Sequence, residues 1–256
     1  RIDAKTNKPG EPITGLNNSC GGLLSAFANL WTVNCGDGTL SKIEPKTGKL
    51  GKALAVGKTP APIALAASAD SVWLLADDKT TLVRIDPKES AISAELRLPA
   101  ACSSLVFAET SLWVACPGAD KILRIDPLTN LVDKRIDVAG QPVALAAGEG
   151  FIWVLASKEG KVFQIDPKTN KSNATIDLGV PNARGSIAFG QGSVWVSVPG
   201  FPITRILAST TKVVQQFAGD GYGLISFGLG SVWLADPQAK SVSRFDPKRI
   251  LATLAE

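Results

Sequence analysis

A tryptophan recurs about every 40 residues along this 256-residue chain, and no other feature constrains its fold as strongly. Successive tryptophans are separated by 42, 40, 40, 42 and 38 residues. The six are Trp31, Trp73, Trp113, Trp153, Trp195 and Trp233. Self-similarity at a fixed period of this length indicates a repeat architecture, in which each repeat forms one supersecondary unit.

Each repeat contains four short apolar segments, which we denote A to D in chain order. Segment A holds small apolar residues, as in Val143–Ala147, and segment B carries the tryptophan. Segment C ends in Ile-Asp-Pro or a variant of it, and segment D resembles Thr175–Leu178. Glycines join A to B, and an Asp-Pro-Lys-Thr-Asn sequence joins C to D, as tight hairpins require. Four strands in about 40 residues predict one blade of a β-propeller, with the tryptophans packed between blades.

The sequence therefore predicts an all-β chain whose residues 1–256 form a single β-propeller domain. Six A–B pairs are present, and they favour six blades of four antiparallel strands each. The chain also opens with Arg1–Asn7, a C segment that lacks its own A and B segments. This segment either supplies an outer strand that closes a six-bladed ring or belongs to a seven-bladed ring whose first hairpin lies upstream.

Four cysteines occupy matching positions in two of the repeats. Cys20 and Cys102 each precede a tryptophan by 11 residues, and Cys35 and Cys116 follow the same tryptophans by 4 and 3 residues. Antiparallel pairing of A with B brings the start of one beside the end of the other, so we predict the disulfides Cys20–Cys35 and Cys102–Cys116. Two such bonds indicate an oxidising compartment, and we expect the protein in the periplasm or outside the cell.

Composition excludes several functions. The chain contains no histidine, which rules out a Ser-His-Asp triad and any histidine-ligated metal. The net charge is only +4, and no dense basic stripe with interleaved aromatic residues suggests a nucleic-acid partner. No apolar run is long enough to span a bilayer.

The motifs Gly-Ser-Val-Trp-Val, Arg-Ile-Asp-Pro-Lys-Thr-Asn and Ala-Thr-Ile resemble the extracytoplasmic propellers of the virginiamycin B lyase-like and YVTN-repeat group. The resemblance covers nearly the whole chain, and it implies the propeller fold. It also implies a metal-assisted lyase that works through histidines, none of which this chain can match. No catalytic residue is therefore carried over.

We expect a ligand on the face formed by the D–A and B–C loops, because the C–D and A–B turns are short and repetitive. The fifth repeat departs most from the pattern, since it replaces Ile-Asp-Pro with Ile206-Leu207-Ala208 and has an aromatic residue in its B–C loop. Its loops, the next D–A loop and the first repeat supply the candidate ligand-binding residues. These are Asn34, Asp37, Asn182, Arg184, Phe201, Asp220 and Tyr222.

Together these features favour a binding or interaction scaffold over an enzyme. Its partner would be a small molecule, a glycan or an envelope protein, with Arg184 holding an anionic group and the aromatic residues stacking on a ring. No cofactor or metal is predicted, although carboxylates such as Asp77, Asp78 and Asp120 could hold calcium or magnesium. The alternative is a metal-assisted lyase or lactonase-like hydrolase.

Overall fold

The structure, a computed structural model, describes residues 1–20, 22–58, 64–180, 182, 184–217, 221 and 223–248. Within these residues, strands form six antiparallel sheets, which are the blades of a six-bladed β-propeller. The predicted fold class is therefore confirmed. The one helical element in the described chain is a three-residue 3-10 turn. The described residues therefore contain no helix long and apolar enough to cross a membrane.

The chain divides into two compact units, Arg1–Ser103 and Ser104–Glu256. The first unit contains blades 1 and 2, and the second contains blades 3 to 6. A single propeller domain over residues 1–256 stays a prediction.

The strands of the first unit follow the predicted order A to D in each blade. Blade 1 consists of β1 (Leu24–Ala26), β2 (Asn29–Asn34), β3 (Thr39–Ile43) and β4 (Leu54–Ala55), and blade 2 of β5 (Leu65–Ala67), β6 (Val72–Ala76), β7 (Thr81–Asp86) and β8 (Ala91–Arg97).

The second unit repeats the same order in four further blades. Blade 3 consists of β9 (Ser104–Ala108), β10 (Ser111–Cys116), β11 (Lys121–Asp126) and β12 (Leu131–Asp137); blade 4 of β13 (Pro142–Gly148), β14 (Phe151–Ala156), β15 (Lys161–Asp166) and β16 (Lys171–Asp177); blade 5 of β17 (Ser186–Gly190), β18 (Ser193–Ser197), β19 (Ile203–Leu207) and β20 (Lys212–Phe217); and blade 6 of β21 (Leu224–Gly228), β22 (Ser231–Asp236) and β23 (Ser241–Phe245). The 3-10 turn, Pro117–Ala119, lies in the B–C loop of blade 3.

Burial follows strand position within the blade. Every residue of β6 and β10 is buried, whereas the D strands β8 and β12 are mostly exposed. A strand with neighbours on both edges and packing on both faces reads as a continuous apolar run, which explains the Val-Trp-Leu-Leu character of segment B. The D strands therefore form the perimeter of each blade.

The tryptophans pack between blades, as the sequence predicts. In the first unit, Trp31 of blade 1 shares a buried cluster with Val72 and Leu74 of blade 2. In the second unit, Trp113 lies with residues of blade 4, and Trp195 lies with residues of blade 6. Burying a large aromatic side chain in this way supplies much of the hydrophobic stabilisation between repeats.

A cation covers the tryptophan in five of the six blades. The cations are Lys42, Arg84, Arg124, Arg205 and Arg244, and each lies 5.0 to 5.3 Å from the centroid of the tryptophan ring on the adjacent strand. A cation over an aromatic face is attracted by the ring's negative face.

The same cations reach into the next blade. Nη1 of Arg124 donates to the carbonyl of Pro167 at 2.7 Å, and Nη1 of Arg205 donates to the carbonyl of Pro247 at 3.3 Å. In the first unit, Nζ of Lys42 donates to the carbonyl of Pro87 at 2.9 Å. Pro87, Pro167 and Pro247 thus each accept a hydrogen bond from the cation of the preceding blade. We call this arrangement the inter-blade clamp.

The hairpin turns use the predicted chemistry. Gln191 and Gly192 both have positive φ values, 49° and 64°, as a type I′ A–B turn requires. In the C–D turn, the carboxylate of Asp166 accepts a hydrogen bond from the backbone N–H of Lys168 at 2.7 Å, and Asn170 closes the turn at φ 57°. The aspartates of this motif are therefore turn formers.

The N-terminal segment forms a hairpin of the same kind. Ile2 pairs with Pro9, and the carboxylate of Asp3 accepts hydrogen bonds from the backbone of Lys5 and Thr6. The sheet of blade 6 has three strands among the described residues, and residues 250–254, which follow its C segment and could supply a D strand, lie outside them. Closure of blade 6 by the N-terminal segment stays a prediction.

Candidate functional site

The D–A and B–C loops of each blade lie side by side. The backbone N–H of Val138, where β12 ends, donates to the carbonyl of Asp120, where the B–C loop ends, at 2.9 Å. The N–H of Leu178 makes the equivalent bond to Gly160 in blade 4, also at 2.9 Å. Residues of these two loop types are therefore presented on a common face of these blades, and the predicted site residues that the structure describes lie in or next to loops of these types.

In the first unit, Asn34 and Asp37 belong to one hydrogen-bonded loop. Nδ2 of Asn34 donates to the hydroxyls of Thr39 and Ser41 at 2.9 and 2.8 Å. The carboxylate of Asp37 accepts from the Thr39 hydroxyl at 2.7 Å and from Nδ2 of Asn17 at 3.2 Å. Thr39 thus joins the two predicted residues.

Asn34 and Asp37 differ in what they offer to a ligand. The Asn34 side chain is buried, and its Oδ1 has no hydrogen-bond partner among the described residues. Asp37 is exposed, and the hydrogen bonds from Thr39 and Asn17 lower the pKa of its carboxyl against the smaller opposing effect of desolvation. Asp37 therefore presents a carboxylate to solvent, and Asn34 supports the loop from within.

Cys20 and Cys35 form a disulfide beneath this loop, with their Cα atoms 5.7 Å apart. Cys102 and Cys116 are also disulfide-bonded, and no cysteine is free. The protein therefore has two disulfides, as predicted, and the pairing of Cys20 with Cys35 is confirmed. The N–H of Cys20 donates to the carbonyl of Val33, so the cystine extends the A–B pairing as the repeat positions require.

In the second unit, Gly185 and Gly221, which belong to two successive D–A loops, both approach the B–C loop of blade 5. Gly185, which follows Arg184, lies against the carbonyl of Ser197 and the side chain of Val198 in the B–C loop of blade 5. Gly221, in the next D–A loop, lies against the carbonyl oxygens of Val198 and Phe201. A side chain at either glycine would collide with these atoms, so the close approach of the loops depends on glycine.

Arg184 and Phe201 are both exposed on these adjoining loops. The Phe201 side chain is 38% exposed, and within the described parts of the chain no hydrogen bond or ion pair involves the Arg184 guanidinium. An exposed guanidinium can hold an anionic group, and an exposed aromatic ring can pack against an apolar body.

The remaining predicted residues are described only in part. Asn182 is exposed, has φ 56°, and donates its backbone N–H to the carbonyl of Lys158 at 3.4 Å, which ties its loop to the B–C loop of blade 4. Asp220 and Tyr222 lie outside the described residues.

The carboxylates that the sequence offered for a divalent cation do not converge. Within the residues that the structure describes, no group of three His, Cys, Asp or Glu side chains comes together as metal ligands would. Asp77, Asp78 and Lys79 instead form a tight loop with three consecutive positive φ values, 47°, 56° and 66°. Backbone hydrogen bonds from Asp77 to Lys58 and from Cys102 to Lys79 hold this loop in place.

The first unit also contains a groove that the sequence did not predict. It has a volume of about 1340 Å³ and lies between the N-terminal segment and blade 1. Leu30 and Ile43 contribute apolar surface to it, and Leu23 at its edge is 63% exposed. No pattern in the repeat distinguishes these residues from their equivalents in other blades, so the sequence carries no signal for the groove.

Comparison with known proteins supports the fold and no family. No protein-family model matches the chain, and no curated protein matches it by sequence. A catalytically inactive variant of virginiamycin B lyase from Staphylococcus aureus, solved with quinupristin, is similar with a TM-score of 0.77 and 18% identity. The similarity covers 91% of this chain and 82% of the lyase chain.

Two further solved structures have related architectures. BamB from Moraxella catarrhalis has a TM-score of 0.64 and 11% identity, over 89% of this chain and 69% of its own. The computationally designed Ika8 protein has a TM-score of 0.70 and 17% identity, over 93% of this chain and 74% of its own. At these identities the similarities establish a β-propeller fold, and propellers of this kind serve unrelated functions.

Proposed function

We propose that this protein is an extracytoplasmic binding scaffold whose ligand lies on the face formed by the D–A and B–C loops. The observation that carries the proposal is the pair Arg184 and Phe201, an exposed guanidinium and an exposed ring on adjoining loops of blade 5. Loops on a rigid β scaffold are where binding residues concentrate. The two disulfides support a location in an oxidising compartment.

The chemistry of the pair specifies a class of ligand. Arg184 offers a planar set of donors that matches a carboxylate or a phosphate. Phe201 offers an apolar surface for a ring or an aliphatic body. A small aromatic acid, an acidic glycan or an acidic segment of an envelope protein satisfies both requirements.

A metal-assisted lyase or lactonase-like hydrolase is the second candidate, because the lyase from Staphylococcus aureus shares the fold. That lyase is catalytically inactive when one histidine is replaced by alanine, and the present chain contains no histidine. Catalysis here would need a metal held by carboxylates, and those in the described residues do not form such a group. We therefore favour binding.

A panel of aromatic carboxylates, aromatic phosphates and uronic-acid disaccharides tests the proposal by the shift in melting temperature of the protein. We expect at least one member to bind, and the R184A variant to bind it at least ~10-fold more weakly, the loss of about one charged hydrogen bond. F201A should weaken binding of the aromatic members most.

Two exposed residues on the C–D turns provide matched controls. K168A removes an exposed cation and L128A removes an apolar side chain that is 83% exposed, both away from the proposed face. These variants should bind as the wild type does. A panel without any binder, or a binder whose affinity is the same in R184A and F201A, would refute the proposal.

A further inference from the structure

Blade 4 is the one blade whose C strand has no cation at the clamp position. In blades 3 and 5, Nε of the clamp arginine donates to the serine two residues before the tryptophan, as Arg124 does to Ser111 at 2.9 Å. Blade 4 has Phe151 at the serine position and Gln164 at the arginine position. Gln164 faces Trp153 across the strands, and no cation among the described residues covers this ring.

The acceptor in the next blade has changed together with the donor. The turn of blade 5 reads Leu207-Ala208 where the other turns read Asp-Pro or Glu-Pro, so Ala208 stands at the position of Pro167. Phe151 packs against the buried cluster that contains Ala208. The irregularity in repeat five, which the sequence suggests as a sign of function on the opposite face, therefore belongs to a change at the seam between blades 4 and 5.

A pocket lies at this seam. The cavity has a volume of about 360 Å³ and is lined by Glu149, Phe151, Gln164, Asn173 and the turn 208–211. Its lining is formed by the A–B turn of blade 4 and the C–D turn of blade 5, so it lies on the side of the blades away from the D–A and B–C loops.

The pocket offers hydrogen-bond acceptors and a ring. The Glu149 side chain is exposed and makes no ion pair or hydrogen bond within the described residues. The carbonyl of Ala208, which is the counterpart of the Pro167 carbonyl that accepts from Arg124, also has no donor there. Oε1 of Gln164 already accepts a hydrogen bond from Asn173 at 2.6 Å. An uncommitted carboxylate, a carbonyl and the edge or face of Phe151 suit a planar group with several donors.

Blade 2 shows how this chain satisfies the same chemistry internally. There the carboxylate of Asp70, in the A–B turn, accepts from Nη2 of Arg84 at 2.8 Å, while Nε of Arg84 donates to Ser71. Burial raises the pKa of Asp70, but hydrogen bonds from Ser71 and Ser68 and the Arg84 charge lower it to a greater total extent. In blade 4 the A–B turn again provides a carboxylate, Glu149, but the blade has no arginine to pair with it.

We propose that the pocket between blades 4 and 5 binds a guanidinium group from outside the chain, either an arginine-like small molecule or an arginine side chain on a partner protein. Glu149 pairs with the charge, the Ala208 carbonyl accepts a donor as Pro167 does at the intact seam, and Phe151 covers one side of the plane. This site is independent of the one proposed on the opposite face, since the two share no residue.

Amide chemical shifts of the full chain, followed by NMR, test this proposal. We expect L-argininamide to shift the resonances of residues 149–151, 164, 173 and 208–211, and L-citrullinamide, its uncharged counterpart, to leave them unchanged. A pentapeptide with one central arginine, Gly-Gly-Arg-Gly-Gly, distinguishes the two sources. Binding of the peptide alone indicates a protein partner, and binding of argininamide with equal or greater affinity indicates a small molecule.

Glu149 has a matched control in blade 3. Glu109 occupies the equivalent A–B turn position with a similar φ value, 48° against 54°, but the arginine clamp of that blade is intact. We expect E149Q to weaken argininamide binding by ~3- to 5-fold, the effect of one exposed ion pair, and E109Q to leave it unchanged. E149K should abolish binding, and because position 149 is exposed this variant should fold.

Three outcomes would overturn the proposal. They are the absence of shifts at the seam with both argininamide and the peptide, equal shifts with citrullinamide, and an unchanged affinity in both E149Q and E149K.

Discussion

Replacing Arg124 by glutamine, the residue that blade 4 uses at this position, should destabilise the protein by ~3 kcal/mol. The Arg124 side chain is only 20% exposed, and its guanidinium donates to Ser111 at 2.9 Å, to the carbonyl of Pro167 at 2.7 Å and to Oδ1 of Asn170 at 3.1 Å. Its centre lies 5.2 Å from the ring of Trp113.

The magnitude follows from these contacts. A hydrogen bond to a charged group contributes ~1.5 kcal/mol at the lower end of its range, and a cation over an aromatic ring adds ~0.5–1 kcal/mol. Contributions within one side chain overlap and glutamine retains part of the packing, so we expect ~3 kcal/mol rather than the full sum. For a chain of this size the loss corresponds to a fall of ~6–12 °C in melting temperature.

Urea unfolding followed by tryptophan fluorescence, together with calorimetry, measures the effect. Lys134 lies opposite Arg124 on β12, and its ion pair with Asp133 at 3.8 Å is exposed. K134Q therefore removes one neighbouring positive charge without touching the clamp, and it should change the stability by less than ~0.5 kcal/mol. If R124Q is also within ~0.5 kcal/mol of the wild type, the clamp does not hold blades 3 and 4 together and the reasoning is wrong.

Three further changes probe other parts of the fold. Replacing both Cys20 and Cys35 by serine should lower the free energy of unfolding by ~3 kcal/mol, because the bond closes a loop of 15 residues. Dithiothreitol should lower the stability of the wild type more than that of the variant, because only the wild type contains this disulfide. The pKa of Asp70 is lowered in the folded protein, so this carboxyl contributes stability at pH values above its unfolded-state pKa of ~3.9. That contribution is lost as the pH falls through the folded-state pKa. D70N should therefore flatten the acid side of a stability profile measured from pH 7 to 2.5. Gly160 has φ 64°, and any side chain there would collide with the carbonyl of Val180, whereas Gly200 has φ 82° but open surroundings. G160A should therefore lower the free energy of unfolding more than G200A does. Equal unfolding midpoints for the two variants would contradict this.

Local pattern carried most of the fold prediction. The turn chemistry of Asp166–Asn170 and the glycine at 192 can be read within one repeat, and the spacing of the tryptophans defines the repeat itself. The structure has the blades and turns that these features predict. The disulfides were predictable for the same reason, since Cys20 and Cys35 occupy positions that any A–B hairpin brings together.

The site was predictable only as a set of loops. The repeat pattern does not predict that Asn34 is buried. In the structure its amide nitrogen donates to the hydroxyls of Thr39 and Ser41 beneath the loop. Arg184 and Phe201 are brought to adjoining loops through contacts of Gly185 and Gly221 with the B–C loop, and none of these contacts is encoded in a local period.

The sequence by itself determined the repeat, the order of strands within a blade, the turn types and the pairing of the cysteines. All of these depend on residues close in the chain, where backbone geometry and side-chain periodicity act directly. Tertiary structure alone decided that Arg124 meets Pro167, 43 residues away, and that Phe151, Gln164 and Ala208 line one pocket at the seam between blades 4 and 5. Such contacts depend on how one blade packs against the next, because residues distant in sequence meet there in a geometry that no single repeat specifies.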